Sequence, residues 1–328
     1  MEKVIIVGGG LGGLLLAILL ERASLDYVVL ERLTVAKHPL EGGGVIAITS
    51  QIQPALKQLG LLDKLKEVSK PISRITVHEV EQGGGKQMAP CGVIDSTFSM
   101  GRPELYNILV DQIPAEKFLL GKQVQEVRQN DKVAICRCTD GSSYQGIIIG
   151  ADGAYSTVRL SLYHQLKDAG LLDARDYKPM QYEQQALVGM TRPLEPEQFT
   201  LIKSEHSDTR VLVSQGGKPF TVWCVPMTLN RMCWMLDQPL AERYDCPDVE
   251  DFSSNQQRAN EMCAAYRSMQ SPLEGVLLGD LFDMTPAGTM LALPREEGMF
   301  VTWTHGKIAL MGDGSDYSRQ YCKGVRKQ

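Results

Sequence analysis

Four residues near the start of the chain, Gly8, Gly10, Gly13 and Glu31, have the types and the spacing needed to hold a dinucleotide. Gly8 permits a tight turn out of a strand. Gly10 carries no side chain to keep a pyrophosphate away from the backbone, and Gly13 lets a helix pack closely on a sheet. Glu31 follows Gly10 by 21 residues, the distance at which a carboxylate reaches a ribose hydroxyl. The chemistry is recognition of a diphosphate at a helix N-terminus, where N–H groups and the helix dipole both favour negative charge.

Those residues need a strand, a helix and a second strand to position them. The run Lys3–Val7 reads as a strand buried on both faces, as in a parallel sheet. A helix is expected from Leu14 to Ala23 and a second strand at Tyr27–Leu30, ending on Glu31-Arg32. A glycine-rich link, Glu41 to Val45, leads to a helix expected over Gln51–Val68 with Leu56, Leu59, Leu62 and Leu65. Residues 72–80 alternate as a half-buried strand does, and Gly83 to Gly85 mark a turn. Arg102-Pro103 opens a further helix, because proline suits the first helical position. Residues 122–149 divide into three strands of an antiparallel meander, which runs into Gly150-Ala151-Asp152-Gly153.

From about residue 175 to 298 the pattern becomes strand-rich, with strands at Gln185–Thr191, Val211–Gln215, Phe220–Val225 and Met232–Leu236. The last two suit a hairpin through Pro226 to Arg231, and Trp223 and Trp234 on it read as core rather than as ligand contacts. Residues 254–270 read as helix, and 300–313 as a turn with a returning parallel strand.

With 328 residues, 43% of them hydrophobic, the chain suits two cooperating domains. A net charge of −5 without a basic stripe argues against nucleic acid as a partner. The apolar stretch Val4–Leu20 is interrupted by its glycines, so it reads as neither signal peptide nor membrane span, and a cytoplasmic location is expected. The eight cysteines show no metal spacing. Cys136 and Cys138 fall on one side of a strand, as small buried hydrophobes.

Three separated segments then coincide: Gly8-x-Gly10-x-x-Gly13 with Glu31, the run Gly150 to Arg159, and Ala309-Leu310-Met311-Gly312-Asp313. With Arg102 ahead of its helix, residues 1–313 resemble the FAD-dependent aromatic hydroxylases related to para-hydroxybenzoate hydroxylase. Within that family they are most similar to the fungal branch that includes paxilline-pathway FAD-dependent monooxygenases of secondary metabolism.

The resemblance implies an α/β fold: a Rossmann-like FAD-binding domain with an interleaved β-rich substrate domain. FAD-binding parts are expected at 1–71, 101–174 and 299–313, substrate-domain parts at 72–100 and 175–298, and an atypical polar tail at 314–328. It further implies that Glu31, with Arg32 beside it, holds the adenosine ribose, and that Gly44 lets backbone approach the flavin. Arg102 reaches the cofactor from its helix start. Asp152 and Gly153 turn near the pyrophosphate, and Asp313 accepts hydrogen bonds from the ribityl chain. The implied reaction inserts one atom of O2 into an aromatic or alkene-containing, isoprenoid-type small molecule, with NAD(P)H as a transient co-substrate. A single dinucleotide fingerprint and the lack of a Cys-x-x-x-x-Cys motif separate the chain from disulfide reductases.

No catalytic side chain is assigned. Tyr182, His206 and Arg210 lie in the substrate region, where a phenol could be anchored or deprotonated, and structural or solvated roles suit them better. The family pattern breaks after Asp313. Asp316 stands where histidine is expected, Gln320 where proline is, and Lys323-Gly324-Val325 where Gly-Gln-Gly opens a helix. A truncated or frame-shifted monooxygenase is therefore expected. An FAD-dependent oxidase or dehydrogenase, or an FAD-binding remnant without activity, remain the alternatives.

Overall fold

The computed structural model describes residues 2–36, 44–81, 84–87, 96–214, 217–246, 255–314 and 316–317. Glu41 to Gly43, Gly83, Cys91, Cys322 and most of the expected polar tail lie outside the described residues.

Five parallel strands form the frame of the first sheet. Val4–Val7 lies between Tyr27–Leu30 and Ser143–Gly150, and the order is completed by Phe118–Leu119 on one side and Ile308–Leu310 on the other. Alternation along these strands decides which helix covers which face. Ile6, Tyr27 and Val29 pack with Leu14, Ala17 and Ile18 of the helix Leu11–Arg22 and with Leu105 and Leu109 of Arg102–Val110. Ile5, Val7, Val28 and Leu30 pack with Val158, Leu162 and Leu166 of Thr157–Asp168 on the opposite face. Both faces are covered, which is why these strands read as continuous apolar runs. Each fully buried aliphatic side chain contributes about 1.5–3 kcal/mol.

The expected meander is present. Val124–Gln129 pairs antiparallel with Ala134–Cys138, which pairs with the first half of Ser143–Gly150 before that strand joins the parallel sheet. Cys136 and Cys138 are both buried on one side of it, and burial pushes the Cys136 thiol up to about 12.

A second sheet has ten strands among the described residues. Nine run in order from Asp316–Tyr317 through Leu291–Met299, Gln181–Met190, Met232–Asp245, Phe220–Pro226, Ser207–Ser214 and Lys70–Glu81 to Phe98–Gly101 and Val45–Ile48, and the tenth, Gly84–Gln87, pairs antiparallel with Lys70–Glu81. One face carries Leu187, Leu212, Val222, Trp234 and Leu236 against the helices Asn255–Tyr266 and Leu278–Asp283. Trp234 is core, as expected, and its indole N–H donates to the Thr285 hydroxyl at 2.9 Å. The expected hairpin turns at Leu229 and Asn230, whose φ values of 58° and 54° suit the tight turns that match strand twist. Trp223 points to the other face, because it alternates with the buried Val222 and Cys224.

Two helical expectations differ from the structure. The helix after the first strand starts at Leu11, three residues early, because Gly10 adopts extended backbone and serves as its N-cap. The helix expected over Gln51–Val68 is two, Gln53–Gln58 and Leu62–Glu67, separated at Gly60 with φ of 64°. Leucines three apart drift by about 60° per step on a helix, about 180° from Leu56 to Leu65. Only a break returns all four to the core, where each is at most 9% exposed. Among the described residues no helix is long and apolar enough to cross a membrane.

Candidate functional site

A cleft of about 520 Å³ opens at the carboxyl ends of the parallel strands. Its floor is the glycine turn. Gly8 has φ of 105°, and a Cβ there would lie 2.5 Å from the Ala151 carbonyl oxygen. A Cβ on Gly13 would lie 2.0 Å from the Gly8 carbonyl oxygen, so both positions require glycine for close packing. Gly10 is different: a Cβ there would meet nothing within 4 Å. Gly10 thus faces open space at the start of a twelve-residue helix whose first N–H groups have no helical partner. That is the geometry of an anion cradle.

Glu31 is buried at the end of the second strand with its carboxylate fixed by two backbone donors. Oε2 accepts from the Gly9 N–H at 2.7 Å, and Oε1 from the Leu33 N–H at 2.8 Å. Each oxygen retains a lone pair for a ligand hydroxyl. The Glu31 backbone is pinned as well, its N–H donating to Leu119 and its carbonyl accepting from Lys122. Arg32 follows it, exposed in the wall.

Arg102 is the first residue of the helix Arg102–Val110, and its backbone N–H donates to the Gly44 carbonyl at 2.9 Å. The guanidinium is exposed in the cleft and takes no hydrogen bond or ion pair from the other described residues. One turn further on, Tyr106 lines the cleft beside it, and burial, with the nearby Glu31 charge, pushes its hydroxyl up to about 12.

Asp152 and Gly153 form part of the opposite wall. The Asp152 carboxylate accepts from the Ser156 hydroxyl at 2.5 Å and the Val158 N–H at 3.1 Å, tying the start of Thr157–Asp168 to the turn. Burial pushes this carboxyl above its ordinary range, and the two donors oppose that shift. Arg159 reinforces the turn: one Nη donates to the Ala154 carbonyl at 2.6 Å while the guanidinium stacks 4.2 Å from the Phe300 ring centre.

The cleft therefore brings together Gly8, Gly10, Glu31, Arg32, Arg102, Asp152 and Gly153. Gly13 and Gly44 act from behind the wall, through the contacts just described. Asp313 is exposed in the turn Gly312–Gly314 and is not part of the wall. The turn nevertheless sits beside the opening helix, since the Met311 methyl would lie 3.6 Å from a Cβ on Gly12. Of the substrate-region candidates none lines the cleft. Tyr182 stacks on Tyr244, His206 is exposed, and Arg210 pairs with Asp208.

Among the cleft residues that the sequence does not assign to the site are Tyr106, Lys122, Tyr155 and Leu291. Tyr106 was within reach, because it lies four residues after Arg102 on the same helix face. Lys122 carries no local signal. It is brought in by the meander and held by Asp140 at 2.5 Å, an ion pair that raises the lysine and lowers the carboxylate from their ordinary values. Tyr155 donates to Glu296 at 3.1 Å, joining the cleft wall to the second sheet.

Open space over Gly10, spare acceptor sites on Glu31 and an uncommitted Arg102 guanidinium fit the phosphates and ribose of a dinucleotide cofactor. The solved 2,6-dihydroxypyridine-3-hydroxylase from Arthrobacter nicotinovorans is similar in fold, with a TM-score of 0.70 and 18% identity over 96% of this chain and 78% of that one. Klebsiella pneumoniae HpxO, solved with FAD and uric acid, gives 0.68 and 18% over 96% of this chain and 74% of its own. In sequence the chain is 30% identical over 325 residues to the FAD-dependent monooxygenase nvfK of Aspergillus novofumigatus, covering 95% of this chain and 64% of the relative. It is 28% identical to the FAD-dependent monooxygenase paxM of Penicillium paxilli, with 95% and 65% covered. The chain thus spans about 64% of the length of nvfK. A family pattern described as FAD binding domain matches residues 1–231, and on that match, over the cleft just described, the chain belongs to the FAD binding domain family.

Proposed function

We propose that the chain is the larger part of an FAD-dependent monooxygenase that inserts one oxygen atom from O2 into an apolar aromatic or alkene-containing small molecule. The observation that carries this reading is the convergence of Glu31, Gly10 and the uncommitted Arg102 in a cleft that the second sheet closes at Leu291. Overall, substrate, O2, NAD(P)H and a proton give the oxygenated product, water and NAD(P)+. FAD, when bound, supplies the redox chemistry that activates dioxygen.

The residues of this chain bind, orient and exclude water. Glu31 accepts ribose hydroxyls, the first turn of Leu11–Arg22 takes the pyrophosphate, and Arg102 forks onto phosphate or ribose oxygens. Asp152 fixes the turn that carries Gly153 to the cleft, and Asp313 serves the ribityl side from the turn beside the opening helix. The division of labour assigns 1–71, 101–174 and 299–313 to the cofactor, and 72–100 with 175–298 to the substrate. Support for the substrate side comes from one cross-strand row, Trp223, Met235, Val188 and Leu291, which runs apolar across the second sheet to the cleft. Such a wall excludes water and suits a small molecule that is largely hydrocarbon.

The test is direct. The purified chain is expected to take up FAD, to lose flavin absorbance on addition of NAD(P)H without oxygen, and to place label from dioxygen in a product. Flavin binding followed by release of hydrogen peroxide alone, with no label incorporated from any apolar aromatic or alkene offered, contradicts the reading.

A further inference from the structure

Arg295 and Asp237 form a buried ion pair on the second sheet, the residues being 9% and 4% exposed. Asp237 Oδ1 accepts from Nε of the guanidinium at 2.7 Å and from Nη2 as well. Arg295 leaves the strand Leu291–Met299 and reaches Asp237 across the intervening strand Gln181–Met190, where Ala186 beside Asp237 presents only a methyl group. Nη2 also donates to Met235 Sδ at 3.3 Å. Asp237 follows Met235 by two residues along its strand and so shares its face. The guanidinium thus lies on the face that carries Trp223, Met235, Val188 and Leu291, the apolar row that runs to the cleft.

A charged pair on an apolar wall carries a desolvation cost that side chains such as Met and Leu would avoid. The pair also leaves donors over. A guanidinium has five N–H groups, and the two on Nη1 bond none of the described residues. Nη1 keeps accessible surface, whereas the unpartnered nitrogens of His78 and Arg210 keep essentially none. The charges decide which group it takes. Asp237 already matches the positive charge, so an anion would bring a second negative charge to one cation. A neutral carbonyl or hydroxyl oxygen accepts the N–H groups without that penalty, and the apolar surroundings strengthen the bond. Neighbouring strands lie about 4.8 Å apart, so Met235 and Leu291, two strands apart in one row, are separated by about 10 Å.

We propose that Arg295 is a specificity-determining residue of the substrate wall: its Nη1 holds a neutral carbonyl or hydroxyl oxygen of the substrate, about 10 Å from the aromatic or alkene carbons presented at Leu291. The inference rests on the reading of this face as the substrate side.

Calorimetry on the full chain tests it with geranylacetone, whose ketone and terminal alkene are separated by a chain of comparable length. The comparisons are its hydrocarbon analogue, with CH2 in place of the carbonyl, and the carboxylate of geranylacetic acid. Geranylacetone is expected to bind about tenfold tighter than the hydrocarbon, the effect of one hydrogen bond to a charged group, and tighter than the carboxylate as well. The double change Arg295→Met with Asp237→Leu removes the donor and leaves no unpaired charge behind. It is expected to bind ketone and hydrocarbon equally, at the affinity the parent chain has for the hydrocarbon. A purely structural pair would weaken both ligands together and leave their ratio unchanged, and that result overturns the proposal. Equal binding of ketone and hydrocarbon by the parent chain, or tighter binding of the carboxylate, overturns it too, while leaving the apolar wall as the substrate side. Binding of none of the three overturns the proposal together with that reading of the face.

Discussion

Arg231 Nη2 lies 2.5 Å from Glu104 Oε1, and both side chains are only 8% exposed. The pair ties the end of the hairpin in the second sheet to the third residue of the helix that begins with Arg102. A bridge between the second sheet and the helix that borders the dinucleotide cleft is thereby placed two residues from Arg102, whose guanidinium pairs with none of the other described residues. Removing one member leaves a buried charge behind, whereas replacing both removes the desolvation cost with the attraction. Arg231→Met is therefore expected to lower stability by about 3–5 kcal/mol, and the double change Arg231→Met with Glu104→Leu to recover most of that loss. Urea unfolding of the three proteins measures it. Equal losses in the single and double variants would show that the pair does not act as a unit.

Arg102 is exposed and contributes little to packing, so its substitution should separate binding from folding. Arg102→Ala is expected to weaken FAD binding by about 10- to 100-fold, the value of one or two charge-assisted hydrogen bonds. Its urea midpoint should stay within error of the parent chain, and Arg102→Lys should fall between the two because a point charge replaces a fork. Flavin fluorescence titration reads the affinity.

The glycines of the turn make opposite demands. Gly13→Ala drives a methyl group into the Gly8 carbonyl and is expected to destabilise the fold by about 1–3 kcal/mol. Gly10→Ala adds a methyl to open space at φ of −70°, so the fold should tolerate it while FAD affinity falls. Thermal unfolding with and without FAD distinguishes them. An equal effect of both on the cofactor-free protein would contradict the distinction.

Asp152 gives a pH signature. Its carboxyl is raised in the folded state, so the folded protein binds this proton more readily than the unfolded chain does. Stability from this group is then gained as pH falls from neutral towards about 4, the ordinary carboxylate value, and is lost as pH rises. Relative to Asp152→Asn, which keeps an acceptor oxygen without the titration, the parent chain should gain stability between pH 7 and pH 4.5. Urea unfolding at the two pH values checks the sign. Asp152→Ala removes the acceptors for Ser156 and Val158 and should cost about 1–2 kcal/mol at either pH.

Local signals in the sequence were enough for the parallel sheet. The apolar runs at Val4–Val7 and Tyr27–Leu30, the glycines between them and the closing Glu31 each act within a few residues, and their consequences follow from sterics. Proline at position 103 likewise marked a helix start that the structure retains. The break at Gly60 was not anticipated, since leucines spaced by three look helical until their angular drift is followed across the whole run. The remaining misses are long-range. Lys122 and Leu291 reach the cleft only through strand pairing far along the chain, and the Arg231–Glu104 pair joins residues 127 positions apart. Nothing near either residue announces its partner.

The most direct measurement is equilibrium titration of the purified 328-residue chain with FAD, run beside Arg102→Ala and Gly10→Ala. Saturable uptake by the parent chain, weakened in both variants while their folding is preserved, is the expected result. A folded parent chain that leaves FAD in free solution, or one that binds it equally well in all three forms, would contradict the assignment of this cleft.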